Sequence, residues 1–180
     1  MEDAFLNRFG PKNNVLVYPF HDMPQPKVSL DKVYDFIYPS SGDPHKNHIA
    51  LINAWVILAK ENHFPNLILT LDINKDKLLL NWCNDMKSKY GLKVLNLGWI
   101  NKKEELINTY IKSRFLIFPS KIESFAIPLI EAKFYGLPIV ASELDYVRDV
   151  CNPIETFNPD LPKSISRSVK RALKVKSKQI

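Results

Sequence analysis

Short apolar runs alternate with longer amphipathic stretches along most of the chain. The runs that predict strands are Val15–Tyr18, Tyr34–Tyr38, Leu67–Leu71, Lys93–Leu97, Phe115–Phe118 and Pro138–Ala141. The amphipathic stretches predict helices over residues 46–63, 75–89, 102–112, 128–135 and 144–150, and from residue 161 onward. Most of the strands are apolar throughout, which is typical of strands buried on both faces. The alternation therefore predicts a single α/β domain with a parallel sheet flanked by helices.

The turns that follow the strands are where a ligand site is expected. In sheets of this kind, ligands bind beyond the carboxyl ends of the strands, near the point where the strand order reverses. Two of these turns are unusual: Pro39–Asn47, after the second predicted strand, and Pro119–Pro128, after the fifth. They are the first candidates for a functional site.

Composition and cysteine usage are those of an ordinary globular protein in a reducing compartment. Of the 180 residues, 46% are apolar and 24% are charged, which suits one domain with a sizeable core. The two cysteines, Cys83 and Cys151, lie far apart with no second ligand pair near either. This excludes a disulfide scaffold and a cysteine-rich zinc site, and it favours a cytoplasmic location. The longest apolar stretch, Ile49–Ala59, is too short to span a bilayer, which takes about 20 residues.

The net charge of +6 comes from the C-terminal end of the chain. Residues 161–180 carry no acid and seven cations: Lys163, Arg167, Lys170, Arg171, Lys174, Lys176 and Lys178. The same segment has apolar residues at intervals of four, which indicates a helix with an apolar stripe: Leu161, Ile165, Val169 and Leu173. A solvated helix face is the favoured interpretation, and a peripheral contact with anionic lipid at the inner face of a membrane is the alternative. No aromatic residue follows Phe157, which disfavours nucleic acid as a partner.

Several common site motifs are absent or weak. The chain has five glycines, the closest two being seven positions apart, so it contains neither a GxGxxG nor a GxxxxGK[ST] motif. His45 and His48 lack a carboxylate at metal spacing, so loop or capping roles are favoured over zinc binding. Asp72 and Asn74 suit a turn or a helix cap better than a metal site. We therefore expect no metal site.

Two glutamates flank the start of a predicted helix in the second unusual turn. Pro128 opens this helix, because proline is favoured in a first helical turn, and Gly136 ends it. Glu131 is expected near the first turn, where the helix dipole favours a carboxylate, and Glu123 in the preceding loop. Free helix N–H groups bind phosphate and carboxylates bind sugar hydroxyls, so the arrangement suits a sugar nucleotide. From the spacing alone, a Glu131 that caps its own helix and a solvated Glu123 are an equally good interpretation.

The segment from Pro119 to Ser142, PSKIESFAIPLIEAKFYGLPIVAS, resembles the E-x7-E signature of retaining glycosyltransferases of family 4. The positions that fall in register are Pro119, Ser120, Glu123, Phe125, Pro128, Glu131, Ala132, Gly136, Pro138, Ala141 and Ser142. This resemblance implies the GT-B fold, which has two Rossmann-like domains with the active site between them. The chain would correspond to the C-terminal, donor-binding half.

The resemblance also implies roles for individual residues of this segment. Glu131 would hold the ribose hydroxyls of the donor, and Glu123 would be a catalytic residue in contact with the donor sugar. The backbone N–H groups of Phe125, Ala126 and Ile127 would face the sugar and the diphosphate. Ala126 replaces a glycine of the common pattern. Because alanine adopts a positive φ only at a cost, the loop is expected to be shaped differently if that conformation is needed.

Two further segments extend the resemblance. Tyr38–His48 resembles the first strand, loop and helix of the same domain, where the family carries an arginine and, five residues later, a lysine on the pyrophosphate. Lys46 matches that lysine and would be catalytic, stabilising the departing diphosphate in place of a metal. Ser41 stands where the arginine would be. Gly98 and Trp99 resemble the loop against the nucleobase, with plain packing as the alternative for Trp99.

These observations predict a hexosyltransferase that uses a nucleoside diphosphate sugar, needs no metal or other cofactor, and extends a polysaccharide or lipid-linked glycan. Residues 28–180 would form the donor-binding domain, and residues 1–27 a remnant of a preceding acceptor domain with its linker. The chain would be a truncated frame, a fragment or half of a split enzyme, with a separate acceptor-domain chain as an expected partner. One alternative is a non-catalytic nucleotide-sugar-binding subunit. The other is a nucleotide-sugar epimerase, and the E-x7-E match argues against this second alternative.

Overall fold

The computed structural model describes residues 31–176, in which helices cover a parallel sheet of six strands. The strands are β1 (Tyr34–Tyr38), β2 (Leu67–Leu69), β3 (Val94–Asn96), β4 (Ser113–Phe118), β5 (Ile139–Ser142) and β6 (Glu155–Phe157). The helices are α1 (His48–Lys60), α2 (Lys77–Tyr90), α3 (Lys103–Lys112), α4 (Ile127–Phe134), α5 (Asp145–Val150) and α6 (Pro162–Lys176), and a short 3-10 turn spans Pro44–Lys46. The predicted α/β class is confirmed.

The order of the strands places the two unusual turns side by side. The sheet runs β3-β2-β1-β4-β5-β6, and every neighbouring pair is parallel. The chain builds outward from β1 to β3, crosses over through α3, and builds outward again from β4. The strand order therefore reverses between β1 and β4. The turns after these two strands leave the same edge of the sheet, at the predicted switch point.

The apolar runs form strands because both faces of the sheet are covered. Phe36 in the middle of β1 is fully buried. Its ring stacks on Phe115 of β4, with centroids 5.2 Å apart, and meets the edge of Trp55 from α1 at 5.6 Å. Burying a side chain of this size contributes about 1.5–3 kcal/mol. A polar residue at such a position would not gain this free energy of burial. The central strands are therefore continuous apolar runs in the sequence.

Helix α4 ends as the glycine signal predicts. Gly136 adopts a left-handed conformation with φ of 64°. Its N–H group donates to the carbonyl of Lys133, and the N–H group of Leu137 donates to that of Ala132. This is the Schellman arrangement, which satisfies the last carbonyls of a helix. It turns the chain directly into β5.

The apolar stripe of α6 packs on the domain. Ile165 and Val169 are fully buried, and the helix lies against α1 and β6. The hydroxyl of Ser168 donates to the carbonyl of Thr156 at 2.7 Å, which ties the helix to β6. Leu161 precedes the helix and is exposed. Between residues 31 and 176, no helix is both long and apolar enough to cross a membrane.

The sheet differs from the prediction by an additional strand and by the early end of a predicted one. The sixth strand, β6, was not predicted because only Phe157 of its three residues is buried, as befits a short polar strand at a sheet edge. Strand β2 ends at Leu69, and the side chain of Asn96 then bonds both the N–H and the carbonyl of Leu71, replacing ladder bonds. The predicted strand Val15–Tyr18 and the proposed remnant domain, residues 1–27, lie outside the described residues.

Candidate active site

A lysine and a glutamate from the two switch-point turns form a direct ion pair. The ammonium of Lys46 donates to both carboxylate oxygens of Glu123, at 2.7 and 2.8 Å. The two side chains are only 18% and 9% exposed. Glu123 is therefore not the solvated residue of the alternative interpretation. The two residues that the resemblance made catalytic are in contact, although 77 positions separate them.

Hydrogen bonds from a buried tyrosine fasten the two turns to each other. The phenol of Tyr38 bonds the carbonyl of Lys46 and the hydroxyl of Ser120, both at 2.8 Å. A phenol has one proton, which it donates to the carbonyl, so the Ser120 hydroxyl donates to the phenol oxygen. Burial raises the pKa of Tyr38 far above its ordinary value, which keeps that proton in place. The N–H group of Lys121 adds a bond to the carbonyl of His45 at 2.9 Å.

Asn47 joins three loops and is the residue that sequence reasoning missed. Its side-chain amide donates to the carbonyls of Pro119, at 3.1 Å, and Pro159, at 2.8 Å. The backbone is left-handed, with φ of 63°, which asparagine tolerates better than most residues. The prediction placed Asn47 inside a helix over residues 46–63, whereas α1 begins at His48 and Asn47 precedes it. Its two long-range partners could not be read from the sequence.

His48 has neither of the roles that the sequence favoured. It is the first residue of α1 and almost fully buried, with its ring 4.9 Å from that of Tyr38. Neither ring nitrogen has a hydrogen-bond partner among the described residues. Burial, reinforced by the charge of Lys46, lowers the pKa of His48 to about 3. The ring is therefore neutral at physiological pH. His45 lies in the 3-10 turn beside it.

Glu131 lies just past the first turn of its helix. It is the fifth residue of α4, whose first turn contains no acid, so the helix dipole does not explain its position. It does not cap the helix either, because its carboxylate accepts a hydrogen bond from the phenol of Tyr110 at 2.8 Å. Burial raises the pKa of Glu131, opposed by this bond and by the charge of Lys103. No local signal in the sequence pointed to Tyr110 as the partner.

The turn Pro39–Asn47 carries a serine where the resemblance leads one to expect an arginine. Ser41 stands at the arginine position, and its hydroxyl donates to the carboxylate of Asp43 at 2.7 Å. Gly42 between them passes close to the start of α2. A Cβ atom at this position would collide with the carboxylate of Asp76, so a larger residue would displace either that side chain or the turn.

The remaining predicted residues differ in exposure and backbone conformation. Phe125 and Ile127 are exposed, whereas Ala126 between them is buried. Ala126 takes the left-handed conformation with φ of 47° despite its methyl group. Gly98 has φ of 77°, and Trp99 after it is 60% exposed, which contradicts plain packing as its role. Over residues 31–176, no three histidine, cysteine, aspartate or glutamate side chains come together as a metal site would need.

The sequence of this chain is similar to that of known glycosyltransferases. Residues 20–179 match the model of a family described as Glycosyl transferases group 1. The chain is 28% identical over 143 residues to the serotype-specific mannosyltransferase WbdA of Escherichia coli. That similarity covers 77% of this chain and 17% of WbdA, so the chain spans about a sixth of this curated relative.

Solved structures share the fold. A glycosyltransferase from Rickettsia africae ESF-5 superposes with a TM-score of 0.68 and 19% identity, over 97% of this chain and 41% of that one. The Anabaena protein Alr3699/HepE, in complex with UDP-glucose, superposes with a TM-score of 0.64 and 18% identity, over 81% of this chain and 41% of its own. The six-stranded domain thus has the fold of one part of larger glycosyltransferases.

Proposed function

This chain belongs to the glycosyl transferases group 1 family, and on that premise we propose that it is the donor-binding domain of a retaining glycosyltransferase of family 4. The enzyme would move a hexose from a nucleoside diphosphate sugar to a growing polysaccharide or lipid-linked glycan, without a metal. The observation that carries the proposal is the meeting of Lys46 and Glu123 at the switch point of the sheet. Ligands bind at this place in open α/β sheets.

Charge on the departing diphosphate is the main problem of such a reaction. Lys46 would offset it, together with the N–H group of Ile127, the first residue of α4. The backbone that carries Lys46 is fixed before the reaction, because Tyr38 and Asn47 hold this turn. Only the lysine side chain would then have to turn from Glu123 toward the diphosphate as charge develops.

The two glutamates would hold the sugars of the donor. Glu123 would accept hydrogen bonds from the hexose, and Glu131 from the ribose. Tyr110 supports the second role, because its phenol occupies one lone-pair direction of Glu131 and fixes the carboxylate in one orientation. The exposed indole of Trp99 would lie against the base. Phe125, Ala126 and Ile127 would bring backbone N–H groups to the diphosphate.

Calorimetry with Glu131→Ala tests the donor site. We expect this change to weaken the preferred nucleotide about tenfold to a hundredfold, the worth of one or two charge-assisted hydrogen bonds. GDP-mannose, UDP-glucose and ADP-glucose form the panel, each with and without EDTA, which should change nothing. Glu104→Ala, on the exposed side of α3, is the matched control. Unchanged affinity in a folded Glu131→Ala protein would contradict the assignment.

The acceptor side of the reaction would come from another domain. The two solved structures described above are more than twice as long as the part that this chain matches. Holding both reactants in line supplies about 7–11 kcal/mol of a barrier, and one domain cannot do this. We therefore propose that residues 28–180 bind the donor and that residues 1–27 continue from an acceptor domain. A non-catalytic nucleotide-sugar-binding subunit with a separate acceptor chain would have the same donor site.

Transfer assays separate donor binding from catalysis. The 180-residue chain should bind a labelled sugar nucleotide and form no glycan from lipid-linked or free-sugar acceptors. Glycosylated product from the chain alone would contradict the need for a second domain. Product that appears only after an acceptor-domain chain is added would support it.

We also propose a cytoplasmic location with a contact to the inner face of the membrane through residues 161–180. The exposed cations Lys163 and Arg167 support it, whereas Lys170 and Arg171 pair with Glu61 and Glu155. Neutralising the first two residues should reduce binding to anionic vesicles, more so at low salt. Two exposed lysines of α2, Lys87 and Lys89, are the control. Equal losses of vesicle binding in both variants would contradict the proposed contact, because they would show only nonspecific attraction of cations to the vesicles.

A further inference from the structure

The cation meant for the diphosphate is already neutralised by a carboxylate. Both oxygens of Glu123 accept hydrogen bonds from Lys46, and the pair is largely buried. We propose that Glu123 thereby makes the site discriminate between a nucleoside diphosphate that carries a sugar and one that does not. This inference rests on the proposed function. Glu123 would then favour binding of the sugar nucleotide substrate over the free diphosphate product, in addition to its proposed contact with the donor sugar.

A free nucleoside diphosphate would meet repulsion at this pair. Its terminal phosphate has the highest charge, and to reach Lys46 it must come close to the carboxylate of Glu123. Like charges at contact distance oppose each other strongly where water is excluded. The carboxylate would also lose bonds to Lys46 and gain no donor in return, since phosphate oxygens only accept. Glu123 therefore lowers the affinity of the site for the free diphosphate.

A sugar nucleotide avoids both penalties. Esterification by the sugar removes a negative charge from the terminal phosphate. The hexose also brings hydroxyl groups that can donate to Glu123 as Lys46 turns toward the diphosphate. The carboxylate is then satisfied in both arrangements, and the lysine is released only when a sugar is present. The same pair would weaken the hold on the diphosphate product after transfer.

The surrounding turn adds to this effect. Where the resemblance leads one to expect an arginine, Ser41 bonds to the carboxylate of Asp43. The N–H group of Lys46 donates to the carbonyl of Asp43 at 2.9 Å, so the second acid lies on the turn that carries the lysine. The turn therefore combines one lysine with an acid of its own and with Glu123 from the neighbouring turn. With few cations to offset them, these carboxylates have a large influence on anion affinity.

Calorimetry on the 180-residue chain and its Glu123→Gln variant tests the proposal. The probes are GDP, UDP and ADP, each compared with GDP-mannose, UDP-glucose and ADP-glucose. In the variant, we expect the free diphosphate to bind about tenfold tighter, with a steeper loss on adding salt. The ratio of the two dissociation constants should shift toward the free diphosphate by at least that factor. An unchanged ratio in a folded variant would overturn the proposal.

Asp160→Asn is the matched control. Asp160 pairs with Lys121, which belongs to the same turn as Glu123, but both side chains are considerably more exposed. The control removes an equal charge nearby, so an equal shift in its ratio would reduce the effect to general electrostatics and overturn the proposal. We expect its ratio to match that of the unmodified chain.

A second variant and a simpler probe keep the test decisive. Glu123→Asp keeps the charge and draws it back from Lys46, so it should shift the ratio in the same direction by less. It serves if Glu123→Gln fails to fold, and a ratio equal to that of the unmodified chain would then overturn the proposal. Inorganic pyrophosphate tests the competition without a base or sugar. If no nucleotide binds the unmodified chain, the proposed function fails, while tighter pyrophosphate binding by the variants would still support the competition.

Discussion

Glu123 and Glu131 lie eight positions apart in one motif, yet their surroundings are opposite. Glu123 is on a loop and meets the cation Lys46. Glu131 is on a helix and meets the neutral phenol of Tyr110, and burial raises its pKa. One carboxylate has a cation as its partner, whereas the other has a neutral donor and a raised pKa. The motif fixes the two positions, whereas partners elsewhere in the chain fix their electrostatics.

Removing the cation should have the largest effect on this difference. Lys46→Met leaves the buried Glu123 without its charge partner, which typically costs about 3–5 kcal/mol. Tyr110→Phe removes only a neutral donor from Glu131 and should cost less, about 1.5–3 kcal/mol. Urea denaturation of the two variants measures both free energies of unfolding. Equal losses would show that the two glutamates are held alike.

A double variant separates the ion pair from the packing of the lysine. Adding Glu123→Gln to Lys46→Met removes the stranded charge, so most of the lost stability should return. A double variant as unstable as Lys46→Met alone would assign the loss to the lysine stem instead.

The Glu123 side of the site should lose stability in acid through His48. Its pKa, about 3 in the fold, lies below the ordinary value of 6.5, so the unfolded chain takes up the proton first. Stability is then complete above pH 6.5 and falls as the pH drops toward 3. At pH 5 the loss is about 2 kcal/mol. The groups that act on this ring are Lys46, which lowers the pKa, and Asp43, which opposes it.

His48→Phe tests this slope. Phenylalanine keeps a ring against Tyr38, cannot be protonated, and removes two buried nitrogens without partners. Urea denaturation between pH 5 and pH 8 should show a flatter slope than in the unmodified chain, with stability at pH 7 equal or higher. The same slope in both proteins would place the acid sensitivity elsewhere.

Replacing Ala126, in the loop between the two glutamates, by the glycine of the common family pattern should stabilise the folded chain. Alanine in the left-handed conformation is strained by about 1–2 kcal/mol, and part of the gain from glycine is lost because the unfolded chain becomes more flexible. Ala126→Gly should therefore raise the free energy of unfolding by about 0.5–1 kcal/mol, measured by urea denaturation. Ala132→Gly, inside α4, should lower it. A loss of stability in Ala126→Gly would mean that its buried methyl group outweighs the strain.

The sequence predicted those features that depend on local pattern. Strands β1 and β4 could be placed because a strand covered on both faces must be apolar throughout, and α4 because proline and glycine mark its ends. Strand β6 escaped because an edge strand needs no such pattern. Ala126 shows the limit most clearly: its chemistry argued for a different loop, and tertiary contacts hold the strained conformation anyway.

The site could be predicted residue by residue but not as an arrangement. Glu123, Glu131 and Lys46 stand out by motif, because the resemblance assigns each a role at a fixed position. Their partners do not, since Tyr110 and Asn47 reach them or their loops across 21 and 72 positions of the chain. Hydrogen bonds between residues so far apart in the chain depend on the order of the strands in the sheet. No local sequence pattern encodes this order.

The smallest expected effect is on the Glu131 side, and it has the opposite sign to that of His48. Because burial raises the pKa of Glu131, the folded chain takes up this proton before the unfolded chain does as the pH falls. The contribution is therefore complete below the ordinary glutamate pKa of about 4.5 and is lost as the pH rises through the raised value. Glu131→Gln still accepts the bond from Tyr110 and cannot ionise. Measured in the His48→Phe background, where the larger acid term is absent, Glu131→Gln should be more stable than its parent at pH 7 and equal to it below pH 4. A variant less stable than its parent at pH 7 would show that the carboxylate is stabilised in place, and the two glutamates would then differ in their partners alone.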